Sequence, residues 1–193
     1  MSRINLIAIG SSTGGTEALS KIIPKLSPPL PPIVIVQHIP PKFSKSLADR
    51  LDKESLLTVK EGEHGEPLRE NYAYIAPGGL HMALIKNREG KLQLRCFMAP
   101  PVHSCRPAVD VLFQSVAELV GGEALGVILT GIGHDGTQGL LEMKQKGSPT
   151  LGQDEASSVV YGMPRSAFEC GAVDMQVPLD KMALEIMNVV KSQ

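Results

Sequence analysis

A hydroxyl, an imidazole and a carboxylate each follow an apolar run of the sequence, and together these three groups could form an activated nucleophile. Ser12 follows residues 4–10, His38 follows residues 33–36, and Asp135 lies shortly after residues 124–130. A serine hydroxyl is a weak nucleophile that needs a base within hydrogen-bond reach, and the base needs a carboxylate to fix its tautomer. The three residues therefore predict a catalytic triad in which Ser12 attacks, His38 is the base and Asp135 orients the imidazole.

The turn after the first apolar run indicates which serine would attack. Residues 10–14, Gly-Ser-Ser-Thr-Gly, fit the pattern G-x-S-x-G, a strand-to-helix turn in which small flanking residues leave the serine exposed. This frame favours Ser12 over Ser11. Backbone amides at a helix N-terminus or in a glycine-rich loop can stabilise an oxyanion. The candidate donors are the amides of Thr13, Ile132 and Gly133.

The order of the three residues along the chain is Ser, His, Asp. The α/β-hydrolases use the order Ser, acid, His, so the sequence excludes that family. It does not exclude the mechanism, because triads recur in unrelated orders.

A second glycine pattern leaves a non-catalytic alternative open. Gly131-x-Gly133-x-x-Gly136 matches a dinucleotide fingerprint, and Asp154 and Glu155 lie near the distance expected of a ribose-binding acid. The pattern occurs late in the chain, and the first strand–helix turn lacks it. A nucleotide- or phosphate-binding module is therefore the main alternative to a hydrolase, and a generic esterase of small molecules is another.

The spacing of histidine and cysteine gives little support to metal ligation. Cys96, His103 and Cys105 are irregularly placed, no fourth ligand accompanies them, and the sequence contains no CxxC pair. We expect no metal and no organic cofactor.

The apolar periodicity predicts the elements that would position these residues. Near-continuous apolar runs are typical of parallel strands covered on both faces, and helical stripes follow them. In the middle third, the runs 72–76, 81–86 and 92–96 are separated by turn residues and predict an antiparallel meander. We predict one doubly wound α/β domain over residues 1–193, with a mostly parallel sheet between helices and an antiparallel hairpin or meander.

Composition limits the class of protein and its compartment. The formal net charge is −1, which does not favour nucleic acid, and no apolar run approaches the length of a membrane span. The start, Met1-Ser2-Arg3, lacks the layout of a signal peptide. Three widely spaced cysteines suit reduced thiols. We expect a cytoplasmic protein that does not insert into membranes.

Several segments in order along nearly the whole chain together resemble the chemotaxis protein-glutamate methylesterase family. They are residues 8–17 (AIGSSTGGTE), 37–40 (QHIP), 74–78 (YIAPG), 106–113 (RPAVDVLF), 126–136 (GVILTGIGHDG), 155–157 (EAS) and 161–165 (YGMPR).

The resemblance implies an enzyme that hydrolyses glutamyl γ-methyl esters on the cytoplasmic helices of chemoreceptors and releases glutamate and methanol. Some members also deamidate receptor glutamines. By position, the family's nucleophile, base and acid fall on Ser12, His38 and Asp135. Arg106 and Arg165 are candidate contacts to the acidic receptor helices, although structural caps or ion pairs are an equal alternative for both.

The sequence departs from the family pattern in several places. Relatives usually carry an N-terminal receiver domain and linker, which this sequence lacks. Ser11 stands where alanine is common, and Ile132 where methionine is common. His134 beside Asp135 is unusual and could act on the acid electrostatically.

Overall fold

The computed structural model describes residues 3–192, so Met1, Ser2 and Gln193 lie outside it, including part of the start on which the leader expectation rests. The strands are β1 (Leu6–Ser11), β2 (Ile33–Gln37), β3 (Thr58–Glu61), β4 (Tyr72–Ile75), β5 (His81–Lys86), β6 (Leu92–Phe97), β7 (Ala124–Ile128), β8 (Thr150–Gln153) and β9 (Met175–Val177). The helices are α1 (Gly15–Ile22), α2 (Phe43–Glu54), α3 (Val109–Leu119), α4 (Thr137–Gln145), α5 (Met163–Glu169) and α6 (Leu179–Lys191).

Seven strands form a parallel sheet in the order β3-β4-β2-β1-β7-β8-β9. From β1 the chain adds β2, then the edge strand β3, and then inserts β4 between them; from β7 it adds β8 and β9 on the other side. The neighbours β1 and β7 therefore flank the point where the strand order reverses, and the crevice outside their carboxyl ends is where such sheets bind ligands. The predicted doubly wound α/β fold is confirmed.

Each face of the sheet is covered by its own core, which explains the unbroken apolar runs. In β1, Ile7 and Ile9 join a cluster with α1, α2 and α6. Leu6 and Ala8 point the other way, into a cluster with α3, α4, α5 and the antiparallel β5–β6 hairpin. Because side chains alternate along a strand, a strand buried on both faces is apolar along most of its length.

The predicted meander is wrong in its first member. Residues 72–76 do not pair with the hairpin, because β4 is a parallel strand between β2 and β3 with Tyr74 and Ile75 fully buried. The loop that follows β4 contains a β-turn in which the Leu80 amide donates to the Pro77 carbonyl at 3.2 Å, but this turn does not pair β4 with β5. It packs at the sheet edge, where a Cβ on Gly78 would lie 2.4 Å from the Pro40 carbonyl oxygen.

Among residues 3–192, no helix combines the length and apolarity that crossing a bilayer requires.

Candidate active site

The loops after β1 and β7 lie against each other at the crevice. The Ser12 amide donates to the Thr130 carbonyl at 2.9 Å. A Cβ on Gly131 would lie 2.8 Å from the Ser12 Cβ and 2.3 Å from the Met163 sulfur. Only glycine permits this approach, so the second loop contacts the candidate nucleophile directly.

Ser11 and Ser12 have different surroundings. The Ser11 side chain is fully buried, and its hydroxyl donates to Gln37 Oε1 at 2.5 Å. Gln37 Nε2 in turn donates to the Ser12 carbonyl at 2.8 Å and the His38 carbonyl at 3.1 Å. Gln37 thus ties the serine turn to the histidine strand. Sequence reasoning missed this role, although an amide at the end of a buried strand beside His38 could have indicated it.

His38 and Asp135 meet at the crevice, as the sequence predicts. The distance from His38 Nε2 to Asp135 Oδ2 is 2.6 Å, and the two side chains are 15% and 2% exposed. A carboxylate accepts a hydrogen bond, so the proton of neutral His38 belongs on Nε2 and the lone pair on Nδ1. The ring nitrogen of His38 that is free to accept a proton is therefore Nδ1. Chymotrypsin uses the two ring nitrogens the other way round.

Asp135 is held by the N-terminus of α3 as well as by His38. The Val109 amide donates to Oδ2 at 2.7 Å, and the Asp110 amide donates to Oδ1 at 2.9 Å. Burial alone would raise the pKa of Asp135, but the hydrogen bonds from His38, Asp110 and Val109 and the His38 charge outweigh it and lower the pKa below its ordinary value. Asp135 is thus ionised at neutral pH and oriented by backbone.

Asp110, in α3, holds the N-terminus of α4 in the same way as Asp135 holds that of α3. Its Oδ1 accepts from the Gly139 amide in the first turn of α4 at 2.7 Å, and its Oδ2 is 2.7 Å from His103 Nε2. The carboxylate before α4 therefore caps α3, and a carboxylate in α3 caps α4. Sequence reasoning missed Asp110, because a contact across two helix ends leaves no local pattern.

A cysteine, rather than the serine, stands at the base nitrogen. Cys105 Sγ is 3.6 Å from His38 Nδ1. The Ser12 hydroxyl makes no hydrogen bond to any other group in residues 3–192. The structure therefore brings together two members of the predicted triad, while the Ser12–His38 hydrogen bond is not formed and stays a prediction.

His134 packs against His103 with ring centroids 4.5 Å apart. The pKa of Asp135 is shifted by its burial, by His38 and by the amides at the α3 N-terminus. His134, which the sequence suggested could act electrostatically on Asp135, is not one of the causes of this shift.

The predicted oxyanion donors have free amides. Within residues 3–192, the backbone N–H groups of Thr13, Ile132 and Gly133 donate to no protein acceptor. The Thr13 amide directly follows Ser12 and precedes α1, whose N-cap is Gly14. These amides can donate hydrogen bonds to a developing oxyanion, and their role remains a prediction.

The two candidate arginines are already engaged. Arg106 donates from Nε to the Gly79 carbonyl at 2.7 Å and from Nη1 to the Ala99 carbonyl at 3.0 Å, so it fastens two loops. Arg165 makes an exposed pair with Glu169 at 2.8 Å. Both fit the structural alternative, and receptor contact stays untested.

The dinucleotide-like glycine pattern is used for other purposes. Gly131 packs on Ser12, and Asp135, inside the pattern, faces His38. The Asp154 carboxylate accepts from the Ser157 amide at 3.1 Å within its own turn. The site therefore suits acyl transfer better than nucleotide binding.

Two side-chain groups have donors close enough for a metal ion. Ligand atoms of His38, Cys105 and Asp135 lie within 4.8 Å of one another, as do those of His103, Asp110 and Asp135.

Comparisons with known proteins show which family the chain is similar to. The family described as CheB methylesterase matches residues 7–186. The chain is 50% identical over 192 residues to the "Protein-glutamate methylesterase/protein-glutamine glutaminase" of Photorhabdus laumondii subsp. laumondii, covering 100% of this chain and 55% of the relative. A Caulobacter vibrioides relative named "Protein-glutamate methylesterase/protein-glutamine glutaminase 1" is 50% identical over 190 residues, covering 98% of this chain and 55% of the relative.

The chain thus spans about half the length of the curated relatives it matches. The crystal structure of the Thermotoga maritima CheB methylesterase catalytic domain superposes with a TM-score of 0.94 at 41% identity. The superposition covers 98% of this chain and 100% of the Thermotoga maritima chain.

Proposed function

The chain belongs to the CheB methylesterase family, and on that premise we propose that it is a serine hydrolase that removes methyl groups from glutamyl γ-methyl esters of chemoreceptors. The observation that carries the proposal is the 2.6 Å contact between His38 Nε2 and Asp135 at the crevice, which leaves Nδ1 free to accept a proton. The His38 amide donates to the Ser11 carbonyl at 3.1 Å, so the histidine strand adjoins the serine turn. The names of the relatives support the choice of substrate.

The proposed first step is acylation. Ser12 attacks the ester carbonyl while its proton moves to His38 Nδ1, and Asp135 stabilises the resulting imidazolium through Nε2–H. The amides of Thr13 and of Ile132 and Gly133 stabilise the tetrahedral oxyanion. His38 then protonates the departing methoxide, and methanol leaves.

Deacylation repeats the same proton path with water. His38 Nδ1 takes a proton from water, the hydroxide attacks the acyl-enzyme, and glutamate is released as the proton returns to Ser12. A glutamine side chain could enter the same cycle, with ammonia leaving in place of methanol. We therefore include deamidation in the proposal.

The proposed partner is the cytoplasmic helical region of methyl-accepting chemoreceptors, which places the protein in the cytoplasm. In full-length relatives, we expect a receiver domain to be a further partner of the catalytic domain. We propose residues 1–193 as a single catalytic domain that needs no metal or organic cofactor for the ester chemistry.

The test is release of methanol from methylated receptor membranes. Ser12→Ala should lower turnover by about 10⁴- to 10⁶-fold, because the nucleophile is lost. Ser11→Ala is the matched control and should keep most of the rate, since its hydroxyl faces Gln37 in the core. A dead Ser11→Ala enzyme with a live Ser12→Ala enzyme would overturn the assignment. Faster hydrolysis of short soluble esters than of receptor would favour a generic esterase.

A further inference from the structure

The proposed ester chemistry uses His38 Nδ1 but gives no role to the thiol next to it. Cys105 Sγ lies 3.6 Å from that nitrogen, and Cys105 is not in a disulfide. A soft sulfur donor and an imidazole nitrogen at this separation are the two ligand types that zinc prefers.

The separation has the value that a shared zinc ion requires. Zinc bonds of about 2.3 Å to sulfur and about 2.0–2.1 Å to nitrogen, at a tetrahedral angle, place the two ligand atoms about 3.6 Å apart. We propose that Cys105 Sγ and His38 Nδ1 bind Zn²⁺, and that the bound ion inhibits the esterase by occupying the base.

The surroundings of His38 already have the arrangement found around zinc-bound imidazoles. A histidine that ligates a metal donates its other ring N–H to a carboxylate, which fixes the tautomer. Asp135 accepts from Nε2 at 2.6 Å and is itself held by two α3 amides. The imidazole that Asp135 prepares as a base is equally prepared as a ligand, with Asp135 remaining an outer partner.

The thiol is presented by a tight turn. Val102 and Cys105 exchange backbone hydrogen bonds of 3.0 and 2.8 Å. The two central residues, His103 and Ser104, both have left-handed backbones, with φ of 51° and 61°. His103 also bonds to the buried Asp110 at 2.7 Å. Cys105 is thus held in place on a turn anchored to the same helix that holds Asp135.

Binding of zinc would exchange a proton. Burial and the charge of Asp135 raise the pKa of the Cys105 thiol, so at neutral pH it is protonated and uncharged. Zinc would form one bond to sulfur and one to Nδ1, and the thiol proton would pass to solvent. The nitrogen lone pair that must accept the Ser12 proton would then be occupied, so turnover would stop until the ion left.

The binding test does not depend on the esterase. Zinc chloride titrated by calorimetry into chelator-treated protein should bind one ion per chain, and Co²⁺ should show a thiolate-to-cobalt charge-transfer band. Cys105→Ser should weaken zinc binding about a hundredfold or more and abolish the band, since loss of even an outer partner costs about 10- to 100-fold. The exposed Cys170 provides the matched control, Cys170→Ser, which should behave as wild type. His38→Gln, used for binding only, should also lose the site.

Several results would overturn the site. They are unchanged zinc binding in Cys105→Ser, a cobalt complex with no thiolate band, or loss of binding in Cys170→Ser. Magnesium chloride should give no heat of binding, because Mg²⁺ prefers oxygen ligands.

The inhibitory half of the inference rests on the proposed function and is tested separately. In the methanol-release assay, zinc should lower the wild-type rate at least about tenfold, with recovery on adding chelator, while Cys105→Ser should keep its own zinc-free rate. Zinc bound through Cys105 to a chain without esterase activity would overturn the proposed function and leave the site standing. If zinc bound at Cys105 and His38 without lowering the rate of methanol release, the proposed inhibition would be overturned.

Discussion

Replacing Asp135 with asparagine tests whether the carboxylate serves both His38 and α3. In the wild type, Oδ2 accepts from His38 Nε2 and the Val109 amide, and Oδ1 accepts from the Asp110 amide. Asparagine has one acceptor oxygen, so Asp135→Asn must leave at least one of these three buried donors facing an NH₂ group.

The expected loss of rate follows from the two orientations of the amide. With its oxygen toward His38, the base tautomer survives and the negative charge is lost. At about 4 Å and an effective dielectric constant of about 20, that charge stabilises the imidazolium by about 4 kcal/mol, or about a thousandfold in rate. With its NH₂ toward His38, the proton moves to Nδ1 and the loss is about 10⁴-fold. We expect a fall of about 10³- to 10⁴-fold in methanol release.

The same change should destabilise the fold. One unsatisfied buried donor costs about 1–3 kcal/mol, and loss of a charge at the α3 N-terminus costs about 0.3–1 kcal/mol more. Urea denaturation should therefore show a loss of about 1–4 kcal/mol at pH 7.

The stability difference should depend on pH in a defined direction. The folded-state pKa of Asp135 lies below its ordinary value of 3.8. Its stabilising effect is therefore fully present above that value and is lost as pH falls through the lower folded-state pKa. The gap between wild type and Asp135→Asn should shrink below about pH 4.

The control is the same isosteric change in the neighbouring buried carboxylate. Asp110→Asn can still accept from Gly139 with its oxygen and donate to His103 with its NH₂, given the other imidazole tautomer. It should lose at most about tenfold in rate. If Asp135→Asn kept the wild-type rate, or if Asp110→Asn lost as much, the assignment of Asp135 as the acid would be refuted.

Three further tests probe the packing of individual residues and its effect on the rate. Ser11→Ala leaves a buried glutamine carbonyl without its donor, so urea denaturation should show a loss of about 1–3 kcal/mol. Gly131→Ala forces a methyl group against the nucleophile turn and should lower the methanol-release rate more than about tenfold, whereas Gly90→Ala, in an open left-handed turn, should cost about 1 kcal/mol and leave the rate unchanged. Partial burial raises the pKa of Cys96 to about 11, so mass spectrometry after brief iodoacetamide treatment at pH 7 should find the exposed Cys170 modified and Cys96 intact. Equal labelling of the two cysteines would contradict the partly buried position of Cys96.

The central sheet, and the edge of it where His38 and Asp135 meet, could be predicted because they leave regular patterns in the sequence. Strands buried on both faces are apolar at nearly every position: β7 is so throughout, and β1 and β2 are so up to their last residues, Ser11 and Gln37. Parallel strands also bring their carboxyl ends to one edge. The pairing of His38 with Asp135 followed from these two rules.

What could not be predicted depends on contacts between distant segments. β4 is too short to carry a distinctive period, so its parallel partners could not be inferred from 72–76 alone. Cys105 reaches His38 only because a left-handed turn at His103 and Ser104 aims it there. The bond of Asp110 to Gly139 joins two helix ends, and neither helix alone indicates it.

Because Asp135 caps α3 and Asp110 caps α4, the choice of residue matters when an inactive variant is made to capture the proposed receptor. Removing Asp135 would remove the proposed acid, but it would also leave the amides at the α3 N-terminus without their acceptor beside the crevice, so a weaker complex could not be interpreted. Ser12→Ala leaves both caps intact. A trap made at Ser12 would therefore keep the shape that the partner meets, and any change in its affinity would report on the missing hydroxyl alone.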